Sequence, residues 1–236
     1  MSDTADMASL RPLNMYGYSK QLFDQWLYRE KYLPQVVGLK YFNVYGPNEF
    51  HKDTMRSLVC KAYDQIRESG KLNLFRSYRS DYRDGEQMRD FVYVKDAVAM
   101  TLFLAEHPRA GGLYNVGSGS ARTWLDLARA IFKALELPEN VEFIEMPEHI
   151  RSQYQYHTLA DMRRIKDLGY PQSPYSLETA INDYVKNYLV PHAFLGDEDD
   201  QKALAFPSVD PVADTRGEIA HAKQPVQPAK SVLGAV

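Results

Sequence analysis

Cysteine is almost missing from this 236-residue chain: Cys60 stands alone. A single cysteine excludes an intrachain disulfide and fits a reducing compartment. No apolar run approaches the ~20 residues of a membrane span. The polar stretch Met1 to Pro12 does not read as a signal peptide. Charge of one sign is also lacking. A net charge of -3 gives no electrostatic case for nucleic acid or an anionic membrane as partner. The six histidines are scattered without paired spacing, so no metal site is expected. There is no internal repeat. A cytoplasmic globular protein is the expectation, with Cys60 a buried, inert thiol on the apolar face of a helix.

What is present alternates. Residues 16–32 read as a helix with Leu22, Phe23, Trp26 and Leu27 as its buried stripe. Val36 to Tyr45 reads as a strand buried on both faces of a parallel sheet. Met55, Leu58, Val59, Ala62 and Ile66 recur at helical spacing up to Gly70. Leu72 to Phe75 is a strand, and the polar, charged stretch 76–88 a loop. Asp90 to Val94 is a strand before a helix over 95–106. Leu113 to Val116 is a strand, and Thr123 caps a helix reaching Leu135. Val141 to Met146 is a strand. Thr158 and Asp161 have capping-box spacing ahead of a short helix. Ser176 caps a last helix. Strands alternating with helices predict an α/β protein with a parallel sheet. After Gly196 the composition turns acidic and then Pro-, Ala- and Gln-rich, so 196–236 is expected to be a disordered tail.

The chemistry-bearing motif lies near the start: Tyr16-Gly-Tyr-Ser-Lys20. On a helix, positions i and i+4 share a face, so Lys20 can place its ammonium beside the Tyr16 hydroxyl. A nearby cation favours the phenolate and makes tyrosine usable as a base near neutrality. With 17 tyrosines, about one such spacing arises by chance, and the plain alternative is a solvated lysine at a helix start. Three further segments change the weighing: Tyr41-Phe-Asn-Val-Tyr-Gly-Pro47, Arg89-Asp-Phe-Val-Tyr-Val-Lys-Asp96 and Tyr114-Asn-Val-Gly-Ser-Gly119. Their order and spacing resemble the extended short-chain dehydrogenase/reductase family of nucleotide-sugar epimerases and dehydratases. The stretch Glu49, His51, Lys52 after the strand, with Asp84 to Phe91 and Tyr154 to Asp161, is similar to the ADP-glycero-manno-heptose 6-epimerases within it. The resemblance runs from about Ser2 to Leu195.

The resemblance implies a fold and a site. The fold is the C-terminal part of a Rossmann-type doubly wound parallel sheet plus a smaller α/β substrate-binding domain. Residues 1–47 and 90–118 would belong to the first, and 48–89 and 119–195 to the second. It implies inversion of C6″ of an ADP-linked heptose, for the lipopolysaccharide inner core, by transient oxidation and re-reduction with bound NADP. Tyr16 and Lys52 would be the acid–base pair, with Lys52 partly buried to lower its pKa. Lys20, Val44 and Lys52 would meet the cofactor. Asn43, Thr54, Lys61, Phe75, Arg89 and Tyr154 would meet the substrate, Arg89 at the ADP pyrophosphate. Thr54 replaces a serine of the family, and Lys61 stands where some members have histidine. His51 is expected to be a neighbour only. The plain alternatives are a solvated loop lysine at 52, a core Phe75, a surface ion pair at Arg89 and simple packing at Tyr154. Family members are homo-oligomers.

One family element is not found. No G-x-G-x-x-G or similar turn precedes Tyr16, and Gly117-Ser-Gly119 is too short and follows the wrong strand. About four βα units, ~120 residues, are expected to be missing, leaving a chain that binds NADP poorly and does not turn over. Two other readings stand beside the leading one. These are another epimerase or 4,6-dehydratase of the same family, and a non-catalytic remnant that keeps a nucleotide-sugar surface.

Overall fold

A stretch of nine residues, 37–45, organises the molecule by serving two strands in turn. In the computed structural model, which describes residues 10–107 and 109–196, it is broken at Phe42 into β1 (Val37–Tyr41) and β2 (Asn43–Tyr45). β1 pairs in parallel with β5 (Gly112–Val116), and β2 in parallel with β4 (Met88–Tyr93). β4 also takes an antiparallel partner, β6 (Ala121–Thr123). A separate parallel pair joins β3 (Leu72–Phe75) to β7 (Val141–Ile144). β6 was not expected: three residues, two of them polar, carry no strand period.

Besides α1 (Met15–Arg29), four helices of eight residues or more pack on the strands: α2 (Leu58–Ser69), α3 (Val94–Glu106), α4 (Trp124–Ala134) and α7 (Leu177–Tyr184). Their ends follow local chemistry. The Ser57 hydroxyl accepts from the Cys60 amide, and Gly70 closes α2 with φ 73°, a left-handed conformation that glycine adopts without a Cβ penalty. Thr123 and Asp126 form a reciprocal capping box on α4, and Ser176 caps α7 through the Thr179 amide. Short helices α5 (Glu148–Arg151) and α6 (Arg163–Asp167) complete the set. The expected Thr158–Asp161 capping box does not form. Met162 stands at the start of α6 without a side-chain cap, and the Thr158 hydroxyl instead accepts from the Asp90 amide.

Two buried clusters share β4. Phe91 and Tyr93 point into a cluster with Val59, Leu74, Ile131 and Ile181, whereas Val92 points into one with Met100, Tyr114, Val116 and Ile165. The alternation of a strand puts successive side chains on opposite faces, so one strand divides the two cores.

Several burial expectations are corrected. On α1 (Met15–Arg29) only Leu27 of the expected stripe is buried, while Leu22, Phe23 and Trp26 are exposed. The face turned inward carries Gln21, Asp24 and Leu27. The Asp24 carboxylate accepts from the Lys40 ammonium on β1, and Gln21 donates to the Leu10 carbonyl at 3.1 Å. An ion pair, rather than the apolar stripe, therefore fixes this helix to the sheet. β1 is half-buried and Tyr41 exposed, so the strand is not covered on both faces. Met55 belongs to a 3₁₀ turn (Phe50–Met55) and is exposed, outside the helical stripe. Cys60 is fully buried, as expected, and burial pushes its thiol pKa up. Among the described residues no helix is long and apolar enough to cross a membrane. The tail expected to be disordered lies, beyond Gly196, outside the described residues.

Candidate functional site

The site residues fall into three groups. The first is on α1, whose N-terminus is capped by the Asn14 side chain accepting from the Gly17 amide at 2.8 Å. Tyr16 is 74% exposed, and the Lys20 ammonium lies 5.1 Å from the centre of its ring. The cation thus sits against the ring rather than in a hydrogen bond to the hydroxyl.

The second group lies on β2 and the segment after it. Asn43 and Val44 are exposed on β2, paired with Phe91 and Val92 of β4. The following 3₁₀ turn carries His51, Lys52 and Thr54, all exposed. The expected partial burial of Lys52 is therefore not seen. Fixing this segment falls to Glu49, which is buried and accepts from the Ser57 hydroxyl at 2.7 Å and the Tyr184 hydroxyl at 2.8 Å. Burial and the Glu49 charge push the Tyr184 pKa up, so the phenol stays protonated and donates. On the other side Asn48 exchanges two hydrogen bonds with the Leu195 backbone, at 2.8 and 3.0 Å. The Lys61 ammonium donates to the Thr54 carbonyl at 3.3 Å, which brings these two sequence-predicted residues together. Among the described residues no hydrogen bond or ring contact joins Lys52 to Tyr16 or Lys20.

The third group is the most ordered. Antiparallel pairing of β4 with β6 sets Arg89 beside the start of α4. Its guanidinium lies 5.1 Å from the Tyr154 ring centre and 5.6 Å from that of Trp124. The Trp124 indole N–H donates to the Tyr154 hydroxyl at 2.9 Å, and Phe75 meets Tyr154 edge-on at 6.4 Å. Arg89 is 6% exposed, yet among the described residues the only acceptor it meets is the Met88 carbonyl, at 2.9 Å. No carboxylate of the described residues pairs with it. Burial pulls its pKa down, against the pull of Tyr154 and Tyr82. A buried cation costs several kcal/mol unless it is paired, so this fork is suited to an anionic ligand. Three sequence-predicted residues, Phe75, Arg89 and Tyr154, form this cluster. Trp124 was missed, because an aromatic at the head of an amphipathic helix reads as core.

Asp90, next to Arg89, does different work. It is fully buried and accepts from the amides of Ser118 (2.6 Å), Gly119 (2.9 Å) and Ala160 (2.9 Å) and from the Ser118 hydroxyl (2.8 Å). A Cβ on Gly117 would fall 2.5 Å from that of Ala160, so only glycine fits there. Gly117-Ser-Gly119 is a carboxylate nest, and its amides are already spent on the protein.

Comparison with known proteins speaks to the family and the fold. A family model described as the NAD dependent epimerase/dehydratase family matches residues 1–117. The chain is 52% identical over 187 residues to an ADP-L-glycero-D-manno-heptose-6-epimerase of Nitratidesulfovibrio vulgaris strain DP4, covering 79% of this chain and 58% of the relative. The chain belongs to the NAD dependent epimerase/dehydratase family. A Fusobacterium nucleatum protein of the same name is 46% identical over 191 residues, covering 78% of this chain and 58% of its own length. A solved Helicobacter pylori ADP-L-glycero-D-manno-heptose-6-epimerase superposes with a TM-score of 0.62 at 32% identity, over 77% of this chain and 52% of that one. Being Rossmann-type α/β is thereby shown. The chain spans little more than half the length of these epimerases.

The family's dinucleotide fits the described residues at one end only. Lys20, Val44 and Lys52, the residues expected at the cofactor, are all exposed. The amides of Ser118 and Gly119, given to Asp90, cannot also cradle its phosphates. Among the described residues no group of three or more metal-ligating side chains occurs.

Proposed function

We propose that this chain carries the substrate site and the proton-transfer groups of an ADP-glycero-manno-heptose 6-epimerase acting at C6″ of the heptose. The observation that carries the reading is Arg89: a buried fork, short of acceptors, held beside two aromatic rings with Phe75 at the edge. Planar guanidinium and ring faces are what a nucleoside diphosphate needs. The names of the relatives point to the ADP-linked heptose, and NADP is the cofactor of this proposal. When bound, the cofactor supplies reversible hydride exchange with the sugar carbon. The chain's own work is proton transfer and positioning. Tyr16 takes the hydroxyl proton on one face and Lys52 serves the other. Lys20 steadies the ribose, and Asn43, Thr54 and Lys61 line the sugar. The proposed division assigns 1–47 and 90–118 to the cofactor side and 48–89 and 119–195 to the substrate side, with β4 carrying a face of each. A cytoplasmic homo-oligomer is the proposed setting, by the resemblance.

A second reading is favoured by a specific arrangement: Tyr16 is open to solvent and Lys52 stands apart from it. In this reading the chain binds the nucleotide sugar without turning it over. Titration calorimetry of the chain with ADP, UDP and ADP-heptose, followed by a coupled epimerisation assay, tests both. Binding of ADP in preference to UDP, lost in Arg89→Gln, is the expected result. Turnover separates the first reading from the second. No preference between ADP and UDP, or no effect of Arg89→Gln, would overturn the site.

A further inference from the structure

The loop 76–87 between β3 and β4 is more than a connector. Both ends are tied down: the Asp84 carboxylate accepts from the Ser77 amide at 2.7 Å and from Arg76 at 3.1 Å, and the buried Gln87 amide donates to the Phe75 and Arg76 carbonyls. At Gly85 φ is +73° and a Cβ would fall 2.8 Å from Leu125, so the chain turns tightly against α4. The Tyr78 amide donates to the Tyr156 hydroxyl at 2.9 Å.

This frame presents Tyr82 to the Arg89 site. The Tyr82 ring packs on Tyr156 at 5.3 Å, Tyr156 on Tyr154 at 5.4 Å, and Tyr154 on the Arg89 guanidinium at 5.1 Å. On the outer side the Arg79 guanidinium stands 5.4 Å from the Tyr82 ring and 5.1 Å from that of Tyr156. Arg79 is itself held by a two-point fork to Asp81, at 2.6 and 2.9 Å. A half-buried tyrosine thus lies between the buried Tyr156 ring and the exposed Arg79 guanidinium. Its hydroxyl has no hydrogen-bond partner among the described residues. Being half-buried, the hydroxyl is open to solvent and can be reached by a ligand.

We propose that Tyr82 is a further substrate-binding residue, its hydroxyl donating to the diphosphate that Arg89 is placed to receive, with Arg79 as the positioning residue that holds its ring. The inference rests on the proposed nucleotide site and adds a second donor from a loop outside β4. The ligand class is a nucleoside diphosphate, and the donor acts on its phosphate oxygens rather than on the base.

The test is titration of the full chain with ADP and with adenosine, in wild type, Arg89→Gln, Tyr82→Phe, Arg79→Ala and the double variant Tyr82→Phe/Arg79→Ala. Thermal melts confirm that each variant is folded. Tyr82→Phe should weaken ADP about ten-fold, the value of one hydrogen bond to a charged group, and leave adenosine unchanged. Arg79→Ala should weaken ADP about three-fold alone and add nothing in the double variant, because it acts through the same hydroxyl. If Arg89→Gln loses ADP but Tyr82→Phe stays within two-fold of wild type, the role of Tyr82 is refuted and the site stands. Equal loss of ADP and adenosine in Tyr82→Phe also refutes it, since that marks a packing effect. If Arg89→Gln itself keeps wild-type affinity, or the wild type does not bind ADP, the nucleotide site fails and this inference with it.

Discussion

Replacing Asp90 by alanine should be among the most damaging changes in this chain. The carboxylate is completely buried and serves four donors, three of them backbone amides. The cost can be divided. Ser118 is half-buried and Gly119 exposed, so their groups can turn to water once the carboxylate is gone. Ala160 is 4% exposed, and its amide cannot. One stranded buried donor costs about 1–3 kcal/mol, and losing charge-assisted bonds to the other groups adds about 1–2 kcal/mol after rehydration. The expected loss is about 3–4 kcal/mol, a large share of the ~5–15 kcal/mol that holds a typical domain together. Asp90→Asn keeps the shape but turns an N–H₂ toward donors on one side, and should cost about half as much. Urea unfolding followed by circular dichroism reads both, with an unchanged slope expected because the same surface is exposed. A loss below about 1 kcal/mol for Asp90→Ala would refute the reasoning, because it would mean the nest is satisfied without its carboxylate.

Arg89→Met should leave stability unchanged or raise it by about 1 kcal/mol, since it removes a buried cation with no counter-charge, while ADP affinity falls at least a hundred-fold; urea midpoints and calorimetry give the two signs separately. Cys60 should resist a thiol reagent such as DTNB in the native chain and react fully in urea, because burial both shields the thiol and raises its pKa. The pH profile of the melting temperature should show Asp183. Burial pushes its carboxyl up, but Lys95 (2.7 Å), Tyr93 (2.7 Å) and Asn187 (2.6 Å) outweigh that and hold its pKa below the usual range. A depressed folded pKa stabilises above the unfolded value of about 3.9 and the gain is lost as pH falls through the folded one. Asp183→Asn should therefore flatten the profile below about pH 4 and leave a lower plateau above it; an unchanged acid slope would rule Asp183 out as its source.

The parts of the fold that were legible in the sequence are those with a one-sided code. Gly70, Thr123 and Ser176 mark helix ends because each supplies a conformation or an acceptor that a helix terminus lacks. α2, α4 and α7 are amphipathic, and their apolar faces are the buried ones. α1 was misread for a physical reason. Its apolar residues outnumber its polar ones on the expected face, but the sheet beneath offers Lys40, and Asp24 answers it. Pattern counts hydrophobes; it does not know which surface a helix will meet. β6 was illegible because three paired residues have no period.

The site divides in the same way. Arg89, Phe75 and Tyr154 were picked out because they lie in segments whose spacing resembles the family, and the structure places them side by side. Tyr82 and Arg79 lie outside those segments, and Tyr156 lies inside one without standing out in it. Their contacts depend on how a charged loop closes through Asp84, Gln87 and Gly85, and that closure is long-range.

β4 shows how two neighbours in sequence can serve different faces of the molecule. Arg89 and Asp90 are adjacent, so they point to opposite faces. One lies against Trp124 and Tyr154, and the other locks the Gly117 loop to Ala160. Two residues later the same alternation sends Phe91 and Val92 into different cores. A one-residue shift of this strand would exchange every one of these assignments at once. It would bury Arg89 where Asp90 now meets four donors. The registers Asn43–Phe91 and Arg89–Arg122 that pin β4 on its two sides are thus as necessary to the proposed site as Arg89 itself.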